Sequence, residues 1–511
     1  MKQLTVVISL SVIVASINTA YSATKISAPA NQLLADIALA EARDCWFRAG
    51  HNWPKTECFE IFVAEDHALP KASRISFPLV IFRSPRESSA GAPVLHLGAG
   101  GPGAPMYLDS AETVFSILKT HDEISIDQGR DLYVIDPRGT GLSKPLLSCR
   151  HFVDNHPNRF IRNLTIQQEW LEIDHDYRDC VKEFINKGID LAAYNSNSIA
   201  IDIELMRKAF DLEQWVLIGV SYAATYAQII ASRYPSSVEA MILDSANFPR
   251  LELHDNFLRR IIGPYQALFN YCDSDPECKL PLENFEQRIW DLYQSLNDRP
   301  LKVEISHPYE RKQLSFLLNG ERFLASILEG IYAVNIYQDL PQIVSDLEKR
   351  RDHSIKPYLF DHLAYMLDRT YGDISAEAHY CFEDKPFIDF DLIGRLIDEL
   401  PPGYIREVTK LWMEWPDFCD EMQISRELAT LTKPHQAYIT TPTLFLHGEF
   451  DRVTPMSDVL DQQRYFDNSQ LVSFRRSHSV LTAIDCAESI AASFVGDPSQ
   501  TVSKLDVCHE D

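Results

Sequence analysis

Short apolar runs alternate along much of this chain with longer segments in which apolar residues recur at helical spacing. Runs such as Trp215–Ile218 and Ala240–Asp244 are almost entirely apolar, as in strands that a sheet buries on both faces. Trp170–Lys187 and Ser198–Phe210 instead carry apolar residues at helical spacing. Alternation of this kind predicts an α/β protein with a mostly parallel central sheet and flanking helices.

Further strands extend the pattern toward both ends of the chain. The sequence predicts them at Glu57–Val63, Ile75–Arg83, Pro93–His96, Asp131–Asp136, Thr443–His447 and Leu471–Phe474. Ala30–Arg48 is predicted to form a helix that covers an edge of the sheet.

The alternation stops in the middle of the chain and then returns. From about residue 248 to 437 the sequence consists mainly of helical segments rich in aromatic residues. Because a core-like strand returns at Thr443–His447, we predict an inserted, mainly helical cap rather than a separate C-terminal domain. The predicted organisation is a signal peptide at 1–22, a first core part at 23–247, the cap at 248–437 and a second core part at 438–511.

Composition and charge narrow the possible partners. The chain has 511 residues, of which 45% are hydrophobic, so it has ample material for a large core. Its formal net charge is −25, which repels phosphate backbones and anionic lipids. We therefore expect no nucleic-acid partner and no binding to membrane surfaces, whereas cationic substrates are compatible with this charge.

The first residues resemble a secretory signal. Lys2 precedes the apolar stretch Leu4–Ile17, which is too short to span a bilayer as a helix. Ala20-Tyr21-Ser22 fits the small-x-small rule and predicts cleavage before Ala23. The sequence therefore predicts an exported protein, periplasmic or secreted, without membrane insertion after signal removal; an uncleaved anchor is the alternative.

Cysteine usage agrees with export. The ten cysteines are an even number, which in an exported chain indicates disulfides. Pairing of sequence neighbours is the simplest arrangement: Cys45–Cys58, Cys149–Cys180, Cys272–Cys278, Cys381–Cys419 and Cys486–Cys508. Since neither a Cys-x-x-Cys motif nor cysteine and histidine at zinc-finger spacing occurs, we expect no metal, and nothing in the sequence indicates another cofactor.

A serine follows one of the predicted buried strands. Gly219-Val220-Ser221-Tyr222-Ala223 is nearly the G-x-S-x-G turn that lifts a serine hydroxyl out of a sheet. Ala223 replaces the second glycine, and one methyl group is a tolerable change. The alternative is a serine at an ordinary turn between strand and helix, so the case depends on other segments.

Two further residues supply what a nucleophilic serine needs. Ser221, Asp451 and His478 each follow a predicted strand, and such loops gather at one edge of a parallel sheet. His478 would take the serine proton and return it to the leaving group, while Asp451 would orient the imidazole. Their order along the chain is that of the α/β-hydrolase fold.

Other histidines and acids compete for these roles. His447 ends a strand, and His96 precedes a glycine-rich loop that it could brace. Asp136 and Asp244 are also carboxylates at strand ends. We favour Asp451 because the surrounding turn, Gly448 to Pro455, fits the role better.

The glycine-rich loop has the composition of an oxyanion loop. It covers residues 98–105 and follows the predicted strand Pro93–His96. A phosphate loop is excluded because no Gly-Lys-Ser/Thr follows, and a plain flexible turn is the alternative. The backbone N–H of Tyr222 and that of Gly100 or Gly101 are the candidate donors to an oxyanion.

Four motifs of the chain belong together: Gly100-Gly101-Pro102-Gly103, Asp136-Pro137-Arg138-Gly139-Thr140-Gly141-Leu142-Ser143, Gly219-Val220-Ser221-Tyr222 and His447-Gly448-Glu449-Phe450-Asp451-Arg452-Val453-Thr454-Pro455. In combination they resemble the proline iminopeptidase and tripeptidyl aminopeptidase family. The resemblance implies a serine exopeptidase of the α/β-hydrolase fold that acts on peptides with a free N-terminus. It also supports the Cys486–Cys508 bridge. Ala223, Ser477 and Ser479 depart from the glycines usual in that family.

The resemblance also implies an acidic group that binds the substrate ammonium. Tyr380-Cys381-Phe382-Glu383-Asp384 is similar to a cap segment of the family, so Glu383 or Asp384 is the candidate. A solvated acidic turn beside a disulfide is the alternative. Two other functions stay open at this stage: a carboxylesterase or amide hydrolase on the same fold, and a non-catalytic binding protein.

Overall fold

A computed structural model describes most of the chain. The described residues are 38–69, 73–85, 91–249, 284–330, 336–400, 406, 409, 417–425, 438–503 and 508. The predicted signal peptide and the predicted Cys272–Cys278 pair lie outside them.

Eight of the eleven strands in the described ranges, all except β1, β8 and β9, lie at predicted positions. They are β1 (Leu39–Arg43), β2 (Lys55–Ala64), β3 (Arg74–Arg83), β4 (Val94–His96), β5 (Leu132–Ile135), β6 (Trp215–Val220), β7 (Val238–Asp244), β8 (Leu301–Ser306), β9 (Gln313–Leu318), β10 (Thr443–Gly448) and β11 (Ser469–Phe474). Within the described ranges, nine strands form one sheet in the order β1-β2-β3-β5-β4-β6-β7-β10-β11. The first three pairings are antiparallel, and all pairings from β5 to β11 are parallel.

Helices cover both faces of this sheet. The α-helices of the described ranges are α1 (Ala111–His121), α2 (Arg150–Phe160), α3 (Ile166–Asn186), α4 (Ser196–Ala209), α5 (Ala223–Arg233), α6 (Phe285–Asp298), α7 (Gly320–Gly330), α8 (Ile336–Glu348), α9 (Lys356–Met366), α10 (Asp373–His379), α11 (Phe390–Glu399), α12 (Met456–Gln462) and α13 (Asp485–Gly496). Two hydrophobic clusters line the two sheet faces, so every residue of β6 is buried. This burial explains why the sequence of β6 is a continuous apolar run.

The predicted helix at Ala30–Arg48 is wrong over its described part. Leu39–Arg43 forms the edge strand β1, which pairs antiparallel with β2 from Leu39 opposite Phe62 to Arg43 opposite Cys58. A disulfide joins Cys45 to Cys58 just beyond this pairing. Pairing with β2 therefore overrides the high helix propensity of the residues in this segment.

The region predicted as a cap has its own hydrophobic core. Its helices α6 to α9 pack around a buried cluster together with the antiparallel hairpin of β8 and β9, which the prediction of a mainly helical cap did not include. Phe160 of α2 also contributes to this cluster. The residue boundaries of the cap remain a prediction.

Disulfides join four of the cysteine pairs expected from neighbouring positions. They are Cys45–Cys58, Cys149–Cys180, Cys381–Cys419 and Cys486–Cys508. Among the described helices, none has the length and apolar character that a membrane crossing requires.

Candidate active site

Ser221 lies on a sharp turn between β6 and α5. Its φ is +53°, in the left-handed region that residues other than glycine rarely adopt. Its backbone N–H donates to the Asp244 carbonyl at 2.9 Å, and its carbonyl accepts the Asn247 N–H at 3.0 Å. A Cβ atom on Gly219 would lie 2.7 Å from Ala224 Cα, so glycine is required at that position. The strained turn is held in place by β7 and the loop after it.

His478 and Asp451 form a close pair. His478 Nδ1 lies 2.9 Å from Asp451 Oδ2, and Asp451 is buried. The other carboxylate oxygen accepts the N–H groups of Val453 at 2.9 Å and Thr454 at 3.0 Å. Burial opposes the charge of Asp451, but the hydrogen bond and charge of His478 outweigh it, so the pKa of Asp451 lies below its ordinary value.

The loop that carries His478 is fastened to the same strand end as the Ser221 turn. The Asp244 carboxylate accepts the N–H groups of Val480 at 3.0 Å and Leu481 at 2.9 Å. The Ser479 N–H donates to the Ser245 hydroxyl at 2.8 Å. Since the carbonyl of Asp244 also accepts from Ser221, the serine turn and the histidine loop share one anchor at the carboxyl edge of the sheet.

The glycine-rich loop lies directly against Ser221. A Cβ atom on Gly100 would lie 2.5 Å from Ser221 Cβ, so only glycine allows this approach. Gly101 has a φ of +92°. Gly100 therefore packs against the serine, and the other two predicted oxyanion donors, Gly101 and Tyr222, directly follow Gly100 and Ser221 in the chain.

Strand-end groups fix the two ends of this loop. His96 Nδ1 accepts the Gly98 N–H at 3.3 Å, and Asp136 Oδ1 accepts the Met106 N–H at 2.6 Å. Burial raises the pKa of Asp136 to about 6 despite the N–H groups of Leu142 and Met106. Within the loop, the Pro102 carbonyl accepts the hydroxyl of Tyr371, which belongs to the region predicted as a cap, at 2.9 Å.

Arg138 braces the turn after β5 rather than facing the serine. Its buried guanidinium forms a bidentate pair with Asp202 at 2.6 and 2.7 Å. It also donates to the carbonyls of Glu65 at 2.7 Å and Ala193 at 2.8 Å. These contacts hold the turn after β5 against the segments that carry Glu65, Ala193 and Asp202.

Glu383 reaches the serine turn from the region predicted as a cap. Its Oε2 accepts the Tyr222 hydroxyl at 2.6 Å and the Ser196 hydroxyl at 2.7 Å, while Oε1 accepts the Ser196 N–H at 2.6 Å. A carboxylate offers about four lone-pair sites, so three donors leave room for one more. Of the two candidate amine-binding residues, Glu383 thus has defined contacts with the residue after Ser221; Asp384 adjoins it in the same turn, Tyr380–Asp384.

Comparison with known proteins agrees with this architecture. A model of the alpha/beta hydrolase fold family matches residues 100–271. Three features of the structure agree with this family model: the order of the strands in the sheet, the serine on a strained turn after β6, and the acid and histidine after β10 and β11. The chain has the α/β-hydrolase fold.

Among relatives of this hydrolase fold, serine protease Hip1 of Mycobacterium tuberculosis is 25% identical over 450 residues, covering 83% of this chain and 82% of the relative. Carboxylesterase B of the same species is 26% identical over 256 residues, covering 48% of each chain. Among solved structures, proline iminopeptidase of Mycobacterium smegmatis gives a TM-score of 0.38 at 12% identity, over 83% of this chain and 95% of the other.

Within the hydrolase fold, the rival residues have other partners. Asp136 and Asp244 hold backbone N–H groups of loops, as described above, and neither is the carboxylate beside His478. His447 is fully buried, and its Nε2 lies 3.9 Å from Asp451. Burial lowers the pKa of His447, which favours a neutral side chain within the core.

Thr454 is a functional candidate that the sequence analysis did not identify. Its hydroxyl lies 2.9 Å from Asp451 Oδ2, 2.9 Å from the Ser245 carbonyl and 3.4 Å from His478 Nδ1. The available signal was its spacing of three residues after Asp451. A hydroxyl at that spacing can donate to the preceding carboxylate, as in other short side-chain turns.

Proposed function

We propose that this chain is an exported serine exopeptidase that releases single residues or short peptides from the N-terminus of peptides. Ser221 Oγ attacks the scissile carbonyl carbon as its proton passes to His478. The oxyanion that forms accepts hydrogen bonds from the N–H groups of Tyr222 and Gly100 or Gly101. Collapse of this intermediate breaks the C–N bond, and His478 gives its proton to the leaving amine. Water then hydrolyses the acyl-enzyme by the same sequence of steps.

One observation carries the hydrolytic part of this proposal. The pair of His478 and Asp451 is anchored, through Asp244 and Ser245, to the strand end that also holds the Ser221 turn. A serine hydroxyl is a weak nucleophile at neutral pH unless a base takes its proton. The anchored loop supplies that base in the form of His478. The backbone of Gly100 packs closely against Ser221.

The exopeptidase part rests on the cap. Glu383 places a carboxylate within reach of the residue that follows Ser221, and a carboxylate is the natural partner of a substrate ammonium group. Similarity to serine protease Hip1 supports peptidase activity, and the four sequence motifs shared with aminopeptidases support cleavage from the N-terminus.

A pair of substrates tests this proposal directly. A peptide arylamide with a free amine should be hydrolysed, whereas its N-acetylated form should lose most of its kcat/KM because the ammonium is gone. Ser221→Ala should abolish hydrolysis of the first substrate. Equal hydrolysis of both substrates would overturn the exopeptidase proposal, and activity retained in Ser221→Ala would overturn the triad.

A carboxylesterase or amide hydrolase is the second candidate. It is favoured by the similarity to carboxylesterase B, although that match covers only about half of each chain. Short p-nitrophenyl esters would then be cleaved far better than any free-amine peptide. A non-catalytic binding protein predicts no turnover of either class. Product analysis on a ladder of peptides identifies an exopeptidase, and hydrolysis of the esters separates the other two.

Export is a further part of the proposal. Four disulfides are typical of proteins that fold outside the reducing cytoplasm. We expect the protein recovered from a bacterial periplasm or culture medium to begin at Ala23. N-terminal sequencing that finds residue 1 would contradict signal cleavage.

A further inference from the structure

A cavity of about 170 Å³ lies between the core-side helices α2 and α3 and the cap helices α7, α9 and α10. Aromatic side chains form much of its wall: Phe152, Phe160, Trp170, Tyr177, Phe316, Tyr365 and Tyr371. Aromatic ring faces attract cations as well as apolar groups. We call this space the aromatic cavity.

Carboxylates give the aromatic cavity a negative character. Glu169, Glu321, Asp373 and Glu377 all line it. Burial raises the pKa of Asp373 to about 7 and raises that of Glu321, so these two acids lie where a negative charge is poorly solvated. A cation entering the cavity would relieve that cost.

The guanidinium that lines the aromatic cavity is already engaged. Arg322 forms an ion pair with Glu169, and it donates to the carbonyls of Phe160 at 3.1 Å and Leu317 at 2.7 Å. This arginine therefore balances Glu169. Of the other acids in the wall, Glu321 accepts the Ile166 N–H and Asp373 accepts the Cys149 N–H, and a carboxylate with one such donor has acceptor sites for more.

A buried imidazole supplies a further acceptor. His362 lines the cavity, is 7% exposed, and its Nδ1 has no hydrogen-bond partner among the described residues. Burial lowers the pKa of His362 to about 4, so at neutral pH the ring is uncharged and one of its nitrogens can accept a hydrogen bond. An ammonium or guanidinium group carries the donors that such a nitrogen accepts.

The aromatic cavity is close to the serine turn. Tyr371 lines it and donates to the Pro102 carbonyl, two residues from the Gly100 that packs against Ser221. Two residues of chain span at most about 7 Å. The cavity therefore begins within reach of the first few residues of an extended peptide attached to Ser221.

The walls of the aromatic cavity are tied together before any ligand binds. The Cys149–Cys180 disulfide joins the residue before α2 to α3. Asp373 of α10 accepts the Cys149 N–H at 3.0 Å, which links the cap wall to the same point. A preformed site loses less free energy in ordering its side chains when it binds.

From these contacts we infer that the aromatic cavity binds the side chain of a lysine or arginine in the acyl part of the substrate. This inference rests on the proposed peptidase function and assigns its substrate class. The aliphatic stem would lie against the aromatic walls, and the cationic end would meet Glu377, Glu321 and His362. The terminal ammonium of the substrate would bind to the Glu383 carboxylate instead.

The test uses tripeptide arylamides with free amines, in which lysine is compared with norleucine at each position in turn. Norleucine keeps most of the stem and removes the charge. At one position, lysine should exceed norleucine about tenfold or more in kcat/KM, the size expected of a charged hydrogen bond. Glu377→Gln should reduce that ratio severalfold while leaving the norleucine substrate nearly unchanged.

Two further variants make the result specific. Glu183→Gln removes a carboxylate from the exposed side of α3, where Glu183 pairs with Lys187, and it should leave the ratio intact. Glu321→Gln provides a second removal of charge from the wall in case Glu377→Gln does not fold. Thermal melting identifies any variant that is unfolded.

The contrary results are distinct from failure of the peptidase proposal. No preference for lysine at any position, or an equal loss with lysine and norleucine in both wall variants, would overturn the cavity assignment. Loss, in Glu377→Gln, of the preference for a free over an N-acetylated terminal amine would also overturn it, because the cavity would then hold that amine. If no peptide is cleaved, calorimetric binding of the lysine and norleucine peptides to Ser221→Ala decides the cavity assignment independently.

Discussion

The phenol oxygen of Tyr222 lies 2.6 Å from Oε2 of Glu383. Tyr222 follows the proposed nucleophile and is the proposed donor of a backbone N–H to the oxyanion, whereas Glu383 belongs to the turn Tyr380–Asp384 in the region predicted as a cap. The same carboxylate also holds both the N–H and the hydroxyl of Ser196. The segment that carries Glu383 and the serine turn are thus joined through one carboxylate, and under the proposed function this contact would link substrate recognition to the geometry of the oxyanion site.

Replacing this carboxylate should weaken recognition of a free amine. Glu383→Gln keeps the shape and one acceptor oxygen but removes the charge that would pair with the substrate ammonium. We expect KM for a free-amine arylamide to rise about 10- to 100-fold, the range for a charged hydrogen bond. Steady-state kinetics with the wild type and the variant measure this directly.

Asp384→Asn is the matched control, one residue along the same turn. It should change KM by less than about threefold if Glu383 is the amine ligand. If Asp384→Asn raises KM and Glu383→Gln does not, the two residues exchange roles. An unchanged KM in both variants would contradict an amine site in this turn.

The hydroxyl of Thr454 should matter for the catalytic step rather than for binding. Thr454→Val removes the donor beside Asp451 while nearly preserving volume, so the carboxylate loses a contact that fixes its orientation. Loss of one such hydrogen bond is expected to lower kcat about tenfold with little change in KM. Thr454→Ser keeps the hydroxyl and should retain most of the activity; equal kcat in the valine variant and the wild type would argue against the role.

The stability of the protein should depend on pH through Glu488. Burial, together with the charges of Asp122 and Glu123, raises the pKa of Glu488 to about 8 from an ordinary value of 4.5. Between these values the folded protein holds a proton that the unfolded chain has released. The free energy of unfolding therefore falls as pH rises through this window.

Glu488→Gln removes this dependence and keeps an oxygen that can accept the Glu123 N–H. The variant should melt at a higher temperature than the wild type at pH 9, and the difference should shrink toward pH 4.5. Asp485→Asn, at an exposed position in the same first turn of α13, is the control and should show no such trend. Differential scanning calorimetry at both pH values measures the effect, and a difference that is equal at the two would contradict it.

The sequence was sufficient to predict those elements that the residues of a single short segment determine. The strand Trp215–Val220 is recognisable because burial on both faces demands apolar residues throughout. Ser221, Asp451 and His478 could be selected because each follows a strand, and parallel strands bring their carboxyl ends to one edge.

Features that depend on contacts between distant segments could not be predicted from the sequence. Leu39–Arg43 is a strand because β2 lies beside it, not because of its own composition. The contact of Tyr222 with Glu383 joins residues 161 positions apart, and no periodicity reports it. The position of the Thr454 hydroxyl depends on the Ser245 carbonyl, which belongs to a different strand end.

The central claim is that Ser221 is a nucleophile activated by the pair of His478 and Asp451. Covalent labelling with a fluorophosphonate, followed by mass-spectrometric mapping of the modified peptide, tests it most directly. We predict a single adduct on Ser221 that is absent in Ser221→Ala and forms far more slowly in His478→Ala. An active enzyme that carries no adduct at Ser221, or carries it on another residue, would contradict the account.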